Sequence, residues 1–323
     1  MMQRRGAALL SAMLTVALVA SLAASALWLQ WRNVEIEAAQ RARAQSLWIL
    51  TGALDWARLI LREDARSGGA DHLGEPWAVP LAEARLSTFL AANASDTDLG
   101  DSAEQVFLSG SIQDLQARLN VFNLVDGGKI SPADLRSFAR LFAQLGLPSA
   151  ELSNLAENLR FALDTRTDSS ATRRAPLLPQ RVEQLGWLGL SPRSLAILAP
   201  YITLLPARTP VNLNTASVAV LQACIPGLDL AQAQRLASAR QSSHFRSLAD
   251  ASKVITESPP DLNDAQHSVQ SRFFEINGRL RMEQTVVQER SVVQREGLQV
   301  KTLWRDRGPS TTYAPASATS PLQ

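Results

Sequence analysis

Gln3-Arg4-Arg5-Gly6, then Ala7-Ala8-Leu9-Leu10-Ser11-Ala12-Met13-Leu14 and onward to Ala24-Ser25-Ala26-Leu27-Trp28-Leu29, is the stretch that decides how the 323-residue chain is read. Positions 6–31 carry no charged residue. At about 1.5 Å of rise per residue, a helix of that length crosses a hydrocarbon layer about 30 Å thick. Arg4 and Arg5 stand before the run, an asymmetry that keeps the N-terminal side cytoplasmic and sends the rest outward. Trp28 and Trp31 stand at its far end, where indoles settle at the membrane–water boundary.

A secretory signal peptide is one reading, with Ala24-Ser25-Ala26 as the cleavage site. The other rests on Gly6, which ends a short basic leader directly before the apolar run. That arrangement resembles the leader of type IV pilin-like proteins. The resemblance implies cleavage between Gly6 and Ala7 by the prepilin peptidase, methylation at Ala7, and retention of the helix as anchor and assembly element. The continuation favours retention. Val34 to Gln45 is built of strong helix formers without Pro or Gly, and Leu47, Leu50, Leu54 and Leu61 follow at near-helical spacing beside Trp48 and Ile49. The pattern predicts one helix from about residue 7 to 64, broken at Ser67-Gly68-Gly69, with its first half in lipid and its second on a soluble body. Gly52 is a weak point inside it, at about 1 kcal/mol relative to Ala.

Composition narrows the function classes. A net charge of +2 gives no strong field for nucleic acid or anionic lipid. The single cysteine, Cys224, excludes an internal disulfide and reads as a buried thiol. His72, His244 and His267 have no metal-ligand spacing. Neither a Gly-x-Ser-x-Gly elbow nor a Gly-rich phosphate loop occurs, which argues against an enzyme.

Further along, 67–79 reads as a loop in which Trp77 packs, and Leu81 to Ala92 has helix-forming composition. Asp96, Asp98 and Asp101 in the next loop are candidate calcium ligands. The loop lacks EF-hand spacing and the terminal Glu, so a solvated turn is the competing reading. Gln105 to Ile112 reads as a strand, and Asp114 to Leu124 as an extended segment entering a turn at Asp126-Gly127-Gly128. Ser131 caps and Pro132 opens a helix to Leu145, Ser149 to Leu163 forms another, and a short one follows Ser191-Pro192.

Val211-Asn212-Leu213-Asn214-Thr215-Ala216 predicts a helix to Cys224 capped by Asn214 or Thr215, then a Pro226-Gly227 turn and a second helix from Asp229 to Arg240. This resembles a helix–hairpin–helix unit. Such units hold nucleic-acid phosphate on bare backbone amides after a second glycine, where this chain has Asp229. A carboxylate repels phosphate, and no Lys cluster surrounds it, so a structural or protein-contact use is expected. After Pro259-Pro260 come strands: Phe273 to Met282 with a turn at Asn277-Gly278, Thr285 to Gln294, and Leu298 to Trp304. Residues 308–323, of Ser, Thr, Pro and Ala, are expected to be disordered.

The expected fold is α+β. A pilin-like long helix packs on an antiparallel sheet, with a large all-α domain inserted. The expected limits are a leader at 1–6, a membrane helix at 7–31, the first part of the pilin-like domain at 32–130, the inserted domain at 131–260, C-terminal strands at 261–307 and a tail at 308–323. The leader and helix, Arg118-Leu119-Asn120 with Asn123-Leu124, and Thr203-Leu204-Leu205-Pro206 leading to Val211–Ala216, in this order, resemble the K subunits of type II secretion systems, their large minor pseudopilins. The resemblance implies a non-enzymatic subunit, single-pass in the bacterial inner membrane, with its N-terminus cytoplasmic and its body periplasmic. Its partners would be the I- and J-type minor pseudopilins at a fibre tip, the inner-membrane assembly platform and the prepilin peptidase. It also implies calcium in an acidic part of the α-domain. The matching stretch here keeps Asp164 and Asp168 among Arg166, Arg173 and Arg174. Counted from Ala7, Ser11 is the fifth residue, where most pilin-like subunits carry a Glu that pairs with a neighbour's terminal amine. An uncharged residue there marks either a first subunit, with none ahead of it, or a small residue that simply packs between helices. The alternative is a membrane-anchored DNA-uptake protein using the helix–hairpin–helix.

Overall fold

In the computed structural model, residues 4–91, 106–164, 176–255, 261–282 and 285–308 are described. Helix α1 (Arg4–Ser67) is unbroken over 64 residues, roughly 95 Å at about 1.5 Å per residue. Gly68 and Gly69, at φ of 67° and 118°, end it in a backbone region that side-chain-bearing residues avoid. Its apolar N-terminal window is unburied among the described residues. From Leu50 onward one face of α1 is buried, through Leu54, Ala57 and Leu61.

That face lies on a five-stranded antiparallel sheet of β1 (Leu81–Arg85), β2 (Val106–Asp114), β3 (Phe273–Met282), β4 (Thr285–Glu296) and β5 (Gln299–Arg307), in that order. Leu54, Ala57 and Leu61 meet Phe274, Ile276, Val293 and Val300. Trp77 closes this core edge-on to Phe274, with ring centroids 5.2 Å apart. Leu50 joins Val106, Leu108 and Leu280 in a second cluster nearer the apolar end of α1.

Two local expectations fail here. Leu81 to Ala92 is not one helix: its first five residues pair with β2 as β1, and only Leu86–Ala91 is helical, as α2. Asn277-Gly278 is no turn, because both lie inside β3 with Gly110 paired to Gly278. A Cβ on Gly278 would sit 2.8 Å from Leu50 Cδ1, so this glycine sets how closely α1 approaches the sheet.

The chain leaves the sheet at Asp114 and re-enters at Phe273, next to Phe274, which lies opposite Asp114 on the neighbouring strand. This excursion is wider than the 131–260 span that composition suggests. Within it lie α3 (Pro132–Gln144), α4 (Ser149–Leu163), α5 (Pro192–Leu198), α6 (Val218–Cys224), α7 (Leu230–Ser242) and α8 (Leu248–Val254). They share one apolar core, in which Phe138, Leu141, Leu155, Leu188 and Leu221 are fully buried. Ser131 caps α3 and Pro132 takes its first position, as the sequence indicates. α6 begins later than expected: Ser217 is its cap, accepting the Val220 N–H, and Asn214 and Thr215 lie before it.

Candidate functional site

Asp114 ends β2 with its carboxylate fully buried. Burial alone would cost several kcal/mol without partners. Four donors supply them. Oδ1 accepts the Gln116 N–H at 2.7 Å, and Oδ2 accepts from Asn212 Nδ2 at 3.0 Å, Thr215 Oγ1 at 2.6 Å and Ser271 Oγ at 2.6 Å. Desolvation still outweighs these bonds and pushes the carboxyl pKa up. The Gln116 bond also caps a 3-10 turn at Leu115–Ala117, and Asn120 caps another at Val121–Leu124. This segment is therefore coiled rather than extended, because its own Asp and Asn side chains compete for the backbone.

The two asparagine motifs are internal clamps. Asn212 Nδ2 also donates to the Asp71 carbonyl at 3.1 Å, and Asn212 Oδ1 accepts the Asn214 N–H at 2.9 Å. Asn214 holds the Phe245 backbone at both ends, accepting its N–H at 2.8 Å and donating to its carbonyl at 2.9 Å. One six-residue stretch thus ties the sheet end, the loop after α1 and the α7–α8 connection together. Asn120 accepts the Leu205 N–H at 3.1 Å and donates to the Ala207 carbonyl at 2.8 Å, and Asn123 brackets Thr209 in the same way at 3.2 and 2.8 Å. The strap 203–209 is fixed against the block by these bonds.

Around this hub stand charges that sequence reasoning missed. Asp64, Asp71 and Glu75 converge, with carboxylate oxygens within 4.8 Å of one another. The cation between the first two is Arg295, whose Nη1 and Nη2 lie 2.5 Å from Asp64 Oδ2 and Asp71 Oδ1. Burial, only partly offset by Arg295, raises the Asp71 pKa to about 6. Glu75 Oε2 accepts from His72 N at 2.9 Å and Trp77 Nε1 at 2.7 Å, and burial raises this carboxyl to about 7. His72 stacks on His244, with centroids 3.8 Å apart and planes within 9°. The only sequence trace of this cluster is the Gly68-Gly69 reversal, which folds the loop back along α1. A further contact lies on the outer sheet face, where Arg181 and Arg290 flank Trp304 and Arg181 pairs with Asp306 at 3.0 Å.

The residues singled out from sequence lie elsewhere. Gly6 and Ala7 fall in the opening turns of α1, and Ser11 is exposed along it. Asp164 ends α4, its N–H donating to the Phe161 carbonyl. Asp96, Asp98, Asp101 and Asp168 lie outside the described residues, as do the leader residues 1–3 and the tail 309–323. Asp229 caps α7, accepting the Gln232 N–H at 2.7 Å, and so fills the amide position where a phosphate would sit. Cys224 is buried, and desolvation lifts its thiol pKa to about 12. The arrangement holds two bodies in register, and its chemistry is that of a satisfied polar core.

Two family models match, both described as type II secretion system protein K, over residues 117–207 and 211–270. The first begins beside the Asn120–Asn123 clamp, and the second contains Asn212, Asn214 and Thr215 of the hub. The chain is 29% identical over 294 residues to type II secretion system protein K of Pseudomonas aeruginosa, covering 84% of this chain and 83% of that one. Its fold is similar to a chain in the crystal structure of the GspK-GspI-GspJ complex from the enterotoxigenic Escherichia coli type 2 secretion system. The TM-score is 0.61 at 18% identity, covering 84% of this chain and 99% of the other. The chain belongs to the type II secretion system protein K family, the minor pseudopilins with a long N-terminal helix, an antiparallel sheet and an added helical region.

Proposed function

We propose that this chain is the tip subunit of a type II secretion pseudopilus, held in the inner membrane with its body in the periplasm, and that it starts fibre assembly with I- and J-type minor pseudopilins. The observation that carries this is the outward face of α1. Trp48 is 78% exposed, Trp56 37% and Leu59 42%, on the side opposite the buried Leu50, Leu54 and Leu61. Positions 48, 52, 56 and 59 share one helical face, and Gly52 leaves a notch between the two indoles. Trp48 stands 17 positions beyond Trp31, about 25 Å above the membrane boundary at helical rise. Lipid therefore does not cover it. A neighbouring subunit's helix does, in keeping with the complex of a structural relative with GspI and GspJ.

The helical block adds width on one side of the sheet, which suits a tip better than a shaft. Cleavage between Gly6 and Ala7 would free Ala7, and the uncharged Ser11 fits a subunit with none ahead of it. The capping role of Asp229 weighs against DNA. The test is co-purification of the full-length chain carrying W48A and W56A with I- and J-type subunits. Loss of complex by about ten-fold or more is expected for removal of exposed aromatic anchors. Undiminished complex would reject this docking face, and capture of double-stranded DNA by the intact chain would reject the assembly reading.

A further inference from the structure

We propose that the stacked pair His72–His244 is an acid-released latch at the rim of the junction, closed when both rings are neutral and opened when both are protonated. The pair joins two bodies: His72 lies in the loop after α1, and His244 in the α7–α8 connection. Both loops are tied to the same hub, through the Asp71 carbonyl on Asn212 and the Phe245 backbone on Asn214. A change in the stack therefore acts where the sheet body and the block meet, while the buried hub stays in place.

Protonation costs this contact twice. Two imidazolium rings with centroids 3.8 Å apart repel. In addition, His72 Nδ1 accepts the Gly74 N–H at 3.1 Å, so the neutral ring carries its proton on Nε2. An imidazolium donates at both nitrogens, which turns that bond into a donor facing a donor.

The surrounding groups do not remove the repulsion. From α1, Asp64 faces His72 and favours its charge, but burial and His244 dominate and lower the His72 pKa. Asp64 is also engaged by Arg295 of β4, which binds Asp71 as well. Glu75, on the same loop, becomes neutral below about 7 and withdraws counter-charge as the rings gain theirs. On the block side Arg246 adds positive charge two residues from His244, and Asp250 of α8 is paired with Lys253 at 3.3 Å.

The test is amide hydrogen exchange on the full-length chain in detergent at pH 7.5 and 5.5, corrected for intrinsic rates. In the native protein, protection of 71–75 and 243–246 is expected to fall by about ten-fold or more at the lower pH, as for a like-charge contact partly screened by solvent. Protection of α4, remote from the rim, is expected to hold. His244→Phe keeps a ring in the stack without its charge and is expected to remove the repulsive part of the response, leaving only what the His72–Gly74 bond contributes. His72→Phe serves as the second variant should the first not fold. Equal loss in α4, no loss at the rim, or a full response in both variants would overturn the latch.

Discussion

Asn212 shows how much of the structure rests on single side chains. Its amide is completely buried and contacts Asp71, Asp114, Ser271 and Asn214. Asn212→Ala leaves the Asp114 carboxylate one donor short in a site without water access. Removing one partner of a buried charged acceptor costs about 2–3 kcal/mol. Denaturant unfolding of the full chain in detergent is expected to show a loss of that size, with the unfolding slope unchanged. Glu75 gives a prediction in pH. Its folded pKa is raised to about 7. Between the ordinary carboxylate range and about 7 the folded state holds the extra proton, so this group's contribution is present in acid and lost as pH rises through that window. Glu75→Gln keeps an acceptor for Trp77 and is expected to flatten that decline. The sign is opposite to that of the lowered His72, so the two effects separate by variant.

At the scale of elements, what could be read in the sequence was what is periodic and local. α1, α3, α4 and the three C-terminal strands announce themselves by 3.6- or two-residue patterns, and Ser131-Pro132 by its capping chemistry. The coiled course of Asp114–Leu124 could not, because Asn120 and Asn123 bond partners some 85 positions away. Nor could the Asp64–Asp71–Glu75–Arg295 cluster, whose carboxylates are gathered by the reversal after α1 and whose cation comes from β4, more than 200 positions away. Asn277-Gly278 misled because the glycine serves a tertiary approach: it sits under Leu50 rather than in a turn. Gly278→Ala is accordingly expected to push α1 off the sheet at that point and cost about 1–3 kcal/mol, as overpacking does. Pairing it with Leu50→Ala should recover part of the loss. Strict additivity in a double-mutant cycle would show that helix and strand are not in contact there.

For the whole molecule, the topology states where the helical block can be removed. Asp114 and Phe274 lie opposite each other on β2 and β3, so a short turn from 114 to 273 rebuilds an ordinary hairpin. A cut at 131–260 is different. It keeps Asn120 and Asn123 but deletes the strap 205–209 that satisfies them, and removes Asn212 and Thr215 while keeping Ser271. Each of those asparagines was buried and would lose partners worth about 1–3 kcal/mol apiece. The wider excision also takes Asn120 and Asn123 away and leaves Asp114 at a hairpin end open to water. It does uncover Phe273 and Val292, which pack with Leu115 and Leu205 on the outer sheet face, so a polar replacement at Phe273 belongs in the design. The chain lacking 115–272 is therefore expected to unfold cooperatively in detergent, and the chain lacking 131–260 to be less stable or not to fold. Greater stability of the narrower deletion would mean that the clamp and strap do not depend on one another. If the wider deletion folds and is found at fibre tips, the proposed tip placement does not depend on the block's width, and the outward face of α1 and Ser11 become the determinants to test.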